Sequence, residues 1–212
     1  MSAVDDQRPR APVPARLSLA GRREPVQTCR ACELWANATQ AVFGSGARPA
    51  RLMLVGEQPG DRENLEGEPF VGPAGGVLDR GLARAGLDRV QVYVTNVVKH
   101  FRYKARGRRR IHSKPAAVHV AACRPWLEAE LRVVAPEALI CLGATAAQAL
   151  LGPAVRIGRD RGRGQPSELA ALVTVTAHPA SILRARGEDE RRPALDGFVS
   201  DLEQVSQWLD QR

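Results

Sequence analysis

The sequence lacks any long hydrophobic run: no segment approaches the roughly 20 apolar residues that a membrane-spanning helix needs. Its first 21 residues also lack the apolar core that is typical of a signal peptide. These absences exclude a membrane-spanning class and lead us to expect a cytoplasmic protein. In that compartment the four cysteines should remain reduced, so no disulfide framework is expected.

Lysine is also scarce, since only Lys99, Lys104 and Lys114 are lysines among the 31 basic residues. The other basic residues are arginines, whose planar guanidinium groups suit phosphate oxygens and base edges. The formal net charge is +8 and the isoelectric point is about 10.1. This excess of positive charge favours a nucleic acid as the partner.

Positive charge is concentrated in residues 102–114, which contain seven lysine or arginine residues and no acidic one. Such a run is predicted to be a surface loop, because each unpaired charge would cost many kcal/mol to bury. His100 precedes the run and His112 lies near its end. Histidine can act as a nucleophile or a metal ligand near neutral pH. From the residues alone, a solvated basic loop and a functional loop both remain open.

Short apolar segments alternate with segments of helical spacing, which predicts an α/β fold. Strands are predicted at residues 51–55, 91–95, 138–142 and 172–176. Helices are predicted at residues 74–85, 115–134, 144–151 and 193–208. We expect a three-layer α/β/α sandwich with a central, mainly parallel four-stranded sheet. The length predicts a single domain at residues 22–212, after a disordered basic tail at residues 1–21.

Loops at the carboxyl ends of parallel strands are the usual ligand-binding positions in such folds. The loop after the first strand reads Gly-Glu-Gln-Pro-Gly at residues 56–60 and Gly-Glu-Pro-Phe-Val-Gly at residues 67–72. The second strand leads into Thr-Asn-Val-Val-Lys-His at residues 95–100, and the fourth into His-Pro-Ala-Ser at residues 178–181. Each motif alone is a weak signal, because asparagine and histidine often serve as local hydrogen-bonding residues.

Taken together, the motifs resemble the uracil-DNA glycosylase superfamily, most closely its iron–sulfur branch, over about residues 28–210. Two positions depart from that branch, which usually has alanine at Gln58 and cysteine at His100. Both departures, with the inserted Arg-Arg-Arg-Ile-His of residues 108–112, resemble the UdgX type. Proteins of that type excise uracil from DNA and become covalently attached to it through the histidine of this loop.

The resemblance implies a catalytic role for Glu57, His112 and His178. An ionised Glu57 would stabilise the positive charge that develops on the sugar. Neutral His112 would attack C1′, with Glu57 available to keep it unprotonated, and the neighbouring arginines would disfavour its charged form. His178 would donate a hydrogen bond to uracil O2 as negative charge develops on the leaving base.

The predicted uracil-binding residues are Gln58, Phe70, Asn96 and His178. A base must be flipped out of a duplex before it can be excised, and Phe70 offers a ring on which it can stack. Asn96 offers both a donor and an acceptor, which match uracil O4 and N3–H. Gln58 either contacts the base or holds the shape of the loop, and both alternatives remain open.

The partner implied by the resemblance is uracil-containing DNA, with single strands preferred, bound by a monomer. The predicted DNA-contacting residues are Lys99, Arg108, Arg109, Arg110 and Ser181. Two other functions are compatible with the sequence. One is a conventional uracil-DNA glycosylase that turns over, and the other is a non-catalytic iron–sulfur module that binds DNA.

Four residues are candidate metal ligands: Cys29, Cys32, His100 and Cys123. Cys141 lies within an apolar strand and is predicted to be an inert core thiol. Three thiolates and one imidazole can bind zinc, and the spacing alone does not exclude it. The resemblance favours a [4Fe–4S] cluster, with His100 in the position of the fourth cysteine.

Overall fold

The computed structural model describes Val13 and residues 23–212. The tail predicted at residues 1–21 therefore lies outside the described residues, apart from Val13, which is half-buried against the core. None of the helices in the described part is both long and apolar enough to cross a membrane.

The central sheet is parallel and four-stranded, which confirms the predicted fold class. The strands of the described chain are β1 (Leu52–Gly56), β2 (Val92–Asn96), β3 (Tyr103–Arg106), β4 (Arg109–His112), β5 (Ala138–Leu142) and β6 (Leu172–Thr176). Two predicted strands start one residue later than expected, and the other two have the predicted bounds. The central sheet has the strand order β2-β1-β5-β6, and strands β3 and β4 form a separate antiparallel hairpin.

The helices lie on both faces of the central sheet. They are α1 (Arg23–Gln27), α2 (Asp61–Glu66), α3 (Pro73–Arg84), α4 (Ala117–Val134), α5 (Ala144–Leu151), α6 (Ile157–Asp160), α7 (Pro179–Leu183) and α8 (Glu188–Asp210). Helix α8 begins before the predicted start, and Pro193 lies inside it. The early start follows from the three acidic residues of its first turn, which interact favourably with the helix dipole.

Alternate strand residues point to opposite faces of the sheet and build two apolar layers. One layer packs Met53, Tyr93 and Cys141 against α4 and α5. The other packs Leu54 and Ile140 against α3 and α8. Because every strand of the central sheet is covered on both faces, its sequence is an almost continuous apolar run, which explains why these four strands were predictable.

The basic run forms the β3–β4 hairpin, where the sequence predicted a surface loop. Tyr103 pairs with His112 and Arg106 pairs with Arg109, so Gly107 and Arg108 form the turn. Gly107 has a φ of 58°, which suits glycine in a two-residue hairpin turn. The strands contain few apolar residues, so the alternation that normally identifies a hairpin is missing from the sequence.

Candidate active site

A cavity of about 760 Å³ opens at the carboxyl edge of the parallel sheet. All four strands lead into its wall: Glu57 follows β1, Asn96 ends β2, Leu142 ends β5, and His178 follows β6. Phe70 and His112 complete the wall from the loop before α3 and from the hairpin. The fold thus brings together polar side chains that lie far apart in the sequence.

Phe70 is held in the cavity wall by an unusual backbone conformation. Its φ is 58°, which is uncommon for a residue other than glycine. Gly75 must be glycine at this bend, since a Cβ there would lie 1.7 Å from the Phe70 carbonyl oxygen. The carboxylate of Glu63 accepts hydrogen bonds from Gly60 N at 3.0 Å and Gly72 N at 2.8 Å, and so ties the loop together. Phe70 is therefore a fixed ring suited to stacking.

Asn96 is almost fully buried and lies beside the Phe70 ring. A Cβ on Gly56 would lie 2.4 Å from Asn96 Oδ1 and 2.6 Å from Phe70 Cζ, so glycine at this position leaves room for both groups. Asn96 Oδ1 is buried without a hydrogen-bond partner among the described residues. Because a buried polar atom normally has a partner, this oxygen is available to a ligand in the cavity.

His178 caps helix α7 and is held in one tautomer. Its Nδ1 accepts a hydrogen bond from Ala180 N at 3.1 Å, so the proton of the neutral ring lies on Nε2. Burial, with smaller contributions from the charge of Arg184 and from His112, lowers the pKa of His178 to about 4. The ring also stacks on Phe70, with 6.0 Å between the ring centroids. His178 therefore brings a neutral Nε2–H donor to the cavity wall.

Glu57 and His112 lie side by side in the cavity wall. Glu57 Oε1 lies 3.4 Å from His112 Nε2, and Thr145 Oγ1 donates a short hydrogen bond to Glu57 Oε2. The side chains of Glu57 and His112 are 19% and 48% exposed, so both remain within reach of a ligand. This arrangement places a carboxylate beside an imidazole, which is the pairing that activates a histidine nucleophile.

The pKa of His112 is lowered, chiefly because the ring is partly buried. Glu57 raises that pKa and the positive charge of Arg184 lowers it. The sequence led us to expect the hairpin arginines to lower this pKa, whereas the structure attributes the shift to burial and to Arg184. The consequence is the expected one: the neutral ring is favoured.

Gln58 hydrogen-bonds to the backbone at the base of the hairpin. Its Nε2 donates to Arg102 O and to Ser113 O, and its Oε1 accepts from Arg102 N, each at 3.1 Å. Ser113 N also donates to Arg102 O at 3.0 Å, which closes the hairpin. The side chain lines the cavity, but its amide is already paired. The geometry favours the loop-holding alternative over contact with the base.

Lys99 does not lie on the surface, so the prediction that it contacts DNA is wrong. Its side chain is 0% exposed and its Nζ forms a short ion pair with the equally buried Glu130. Lys99 Nζ also donates to Thr95 Oγ1 at 2.8 Å and to Asn96 O at 2.7 Å. A fully buried ammonium cannot reach a phosphate, and it instead fixes the backbone beneath Asn96.

The other predicted DNA-contacting residues lie on the hairpin and in the cavity wall. Arg108 and Arg109 are exposed near the tip of the hairpin. Arg110 is half-buried and pairs with Asp61, with 2.7 Å between its Nε and Oδ1. Ser181 lines the cavity and donates from Oγ to His178 O at 2.7 Å. Two arginines are thus free to meet a polyanion, and the third holds the hairpin to the body.

The candidate metal ligands come from the segment before β1, the residue after Lys99, and helix α4. Cys29, His100 and Cys123 are buried and Cys32 is partly exposed. A hydrogen bond between the Cys32 and Cys123 thiols lowers the pKa of Cys32 to about 6 and raises the pKa of Cys123. Burial raises the pKa of Cys141 to about 12, which fits an inert core thiol.

His100 supplies the observation that tests this donor set. Burial lowers its pKa to about 4, and its Nδ1 is buried with no hydrogen-bond partner among the described residues. A metal would satisfy such a nitrogen, so the residues fit a metal centre by their chemistry. Within the described part of the chain, however, no three His, Cys, Asp or Glu side chains form a group compact enough for a single metal ion. Zinc needs all its ligands within about 2.3 Å of one point.

Several residues around the site were not recognised in the sequence. Thr145 contacts Glu57, Glu130 pairs with Lys99, and Glu33 meets His119 Nε2 at 2.6 Å, which ties the cysteine segment to α4. Each contact joins residues more than 30 positions apart. No local pattern marks such pairs, although a charged Glu130 among the apolar residues of α4 is a weak signal of a buried partner.

Comparison with known proteins gives a consistent result. The sequence matches the family model for the uracil DNA glycosylase superfamily over residues 43–203. It is 35% identical over 187 residues to the Type-4 uracil-DNA glycosylase of Thermotoga maritima, covering 88% of this chain and 92% of that protein. The Type-4 enzyme of Pyrobaculum aerophilum is 34% identical, with 88% and 92% covered, and that of Archaeoglobus fulgidus is 33% identical, with 86% and 88% covered.

Proposed function

The chain belongs to the uracil DNA glycosylase superfamily, and we propose that it excises uracil from DNA and then captures the abasic sugar through His112. The observation that carries the proposal is the facing pair of Glu57 and His112, 3.4 Å apart, at a cavity that also presents Asn96 and His178. Membership of the superfamily supports excision of uracil, and the pair of Glu57 and His112 supports capture of the abasic sugar.

Base recognition rests on three side chains of the cavity wall. A flipped uracil stacks on Phe70, and the free amide of Asn96 reads its Watson–Crick edge. The unpartnered Asn96 Oδ1 accepts from uracil N3–H, which leaves the amide N–H₂ to donate to O4. Cytosine offers an acceptor at N3 and a donor at N4, so the same amide disfavours it.

Cleavage breaks the bond between uracil N1 and sugar C1′, and its electron pair leaves with the base. His178 Nε2–H donates to uracil O2 and stabilises the developing negative charge. The sugar gains positive charge, which the ionised Glu57 stabilises. Because burial favours neutral His178, the donor keeps its Nε2–H tautomer at neutral pH.

Capture follows when a lone pair of neutral His112 forms a bond to C1′. The ring becomes an imidazolium, and the proton on its other nitrogen can then pass to a carboxylate or to solvent. The lowered pKa of His112 and the nearby Glu57 support this role, because attack requires the unprotonated ring. With the imidazole on C1′, water has no access to that carbon.

The test is incubation with uracil-containing single-stranded DNA, followed by a denaturing gel. We expect a band of retarded mobility that survives denaturation, and no such band for His112→Ala. A wild-type protein that releases uracil without forming the band would refute capture and leave excision intact. A parallel assay on duplex DNA tests the proposed preference for single strands.

A conventional glycosylase that turns over is the second candidate, and similarity to Type-4 uracil-DNA glycosylases favours it. It predicts free abasic DNA and several moles of uracil released per mole of protein. A protein that binds DNA but releases no uracil would instead be a non-catalytic module. Counting uracil per protein molecule therefore separates the three functions.

We further propose that Cys29, Cys32, Cys123 and His100 hold a [4Fe–4S] cluster with a structural role. When bound, the cluster would supply iron–ligand bonds that tie the cysteine segment, the start of the hairpin connection and α4 together. The assignment is supported by His100 Nδ1, which has no hydrogen-bond partner in the described part of the chain, and by the thiol chemistry of the other three residues. Iron analysis and visible absorbance test it: a colourless protein that contains zinc would refute the cluster.

A further inference from the structure

The Glu57 carboxylate has one oxygen anchored and one oxygen facing the cavity. Thr145, the second residue of α5, donates from Oγ1 to Glu57 Oε2, while Oε1 lies 3.4 Å from His112 Nε2. The two oxygens of a carboxylate are rigidly related. Anchoring one of them therefore fixes the direction in which the other points.

The Thr145 hydroxyl is not needed by the helix that carries it. The N-cap of α5 is Gly143, which makes no side-chain capping bond, and Thr145 donates out of the helix to a residue 88 positions away. The threonine is nearly buried, at 9% exposure, and it lines the cavity. Its hydroxyl thus acts at the cavity wall.

Other described side chains leave Glu57 without a second anchor. Apart from its contact with His112, no further side-chain hydrogen bond to this carboxylate occurs among residues 23–212. His112 lies on the hairpin, whereas Thr145 lies at the start of a helix packed against the sheet. The helix provides the more rigid support.

We infer that Thr145 is a positioning residue, which orients the Glu57 carboxylate toward the sugar of the flipped nucleotide. The inference rests on the glycosylase function proposed above. It concerns cleavage as well as capture, because Glu57 stabilises the positive sugar in both. Without the hydroxyl, the carboxylate can rotate away from the reacting carbon and loses part of its electrostatic effect.

Thr145→Val tests this role, since valine has nearly the same shape and lacks the donor. The single-turnover rate of uracil release at saturating DNA should fall about tenfold, as expected for loss of a hydrogen bond to a charged group. The dissociation constant for DNA carrying a cleavage-resistant 2′-fluorinated deoxyuridine should change less than about twofold, because Thr145 orients the catalyst and not the base. Thr145→Ser keeps the hydroxyl and should restore most of the rate.

Two controls separate positioning from a general effect on the fold. Thr174→Val removes another buried threonine hydroxyl, from strand β6 outside the cavity lining, and should keep the wild-type rate. In a Glu57→Ala background, adding Thr145→Val should cost less than about twofold, because the group that it positions is already absent. Circular dichroism and thermal unfolding check that each variant is folded.

The outcomes distinguish this inference from the function on which it rests. If the wild-type protein releases uracil and Thr145→Val releases it at the same rate, the inference is overturned and the glycosylase proposal stands. An equal loss in the wild-type and Glu57→Ala backgrounds would also overturn it, since Thr145 would then act independently of the carboxylate. A wild-type protein that releases no uracil would overturn the glycosylase proposal, and this inference with it.

Discussion

Gln58→Met should loosen the base of the β3–β4 hairpin. Methionine has a similar length but removes three hydrogen bonds, each of 3.1 Å, that the Gln58 amide makes with Arg102 and Ser113. Gln58 is only 6% exposed, so water has little access to replace those bonds. Arg102 N and Ser113 O then lose a partner that no other described residue supplies.

The size of the effect follows from the hydrogen bonds. A net contribution of about 1 kcal/mol for each bond gives about 3 kcal/mol in total for the opening of the hairpin. Since about 1.4 kcal/mol corresponds to a factor of ten, the local opening constant should rise roughly a hundredfold. His112 lies at the end of this hairpin, so the formation of the covalent adduct should slow as well.

Hydrogen–deuterium exchange of peptides covering residues 101–113 measures the opening directly. A matched control is Gln165→Met, because Gln165 also donates to two backbone carbonyls, those of Asp160 and Arg163. It should leave exchange in the hairpin unchanged. Exchange in Gln58→Met that equals the wild-type exchange, together with weaker binding of uracil-containing DNA, would refute the loop-holding role and favour contact with the base.

Three further variants test other parts of the site. Lys99→Met should lower the free energy of unfolding in urea by about 3–5 kcal/mol, because it leaves the buried Glu130 without its counter-charge; no loss would contradict the buried ion pair. The pKa of His178 is about 4 in the folded protein against 6.5 in the unfolded chain. The neutral ring therefore contributes about 3 kcal/mol to the free energy of unfolding above pH 6.5, and this contribution is lost as the pH falls toward 4. His178→Asn should remove this part of the pH dependence of unfolding, and an unchanged dependence would show that the ring is not held neutral. Arg109→Ala should weaken binding to single-stranded DNA and reduce the salt slope by about 0.7, whereas Arg132→Ala, near the far end of α4, should not; equal effects would show that the hairpin has no special role.

The fold could be predicted from the sequence because its strands are buried on both faces. Burial of this kind requires apolar residues at nearly every position, so the four strands of the central sheet are visible as local runs. The hairpin could not be predicted in the same way. Its strands are mainly basic, and they are held by Gln58 and Asp61, which come from a distant part of the chain.

Several site residues could also be located, because parallel order brings the carboxyl ends of strands to one edge. Glu57, Asn96 and His178 each follow or end a strand, and they line one cavity. Residue type was a poorer guide to role. Lys99 resembles a phosphate ligand in the sequence, yet it is buried, because an ion pair with Glu130 offsets the desolvation of its charge.

By itself, the sequence determined the α/β architecture, the edge at which the site forms and the chemical groups that it offers. These properties depend on local apolar runs and on the order of elements along the chain. Only the tertiary structure decided which groups meet: Glu57 with Thr145 and His112, and Gln58 with the hairpin backbone. Hydrogen bonds and ion pairs act over about 3 Å, and nothing in a local pattern records which distant residues will come that close.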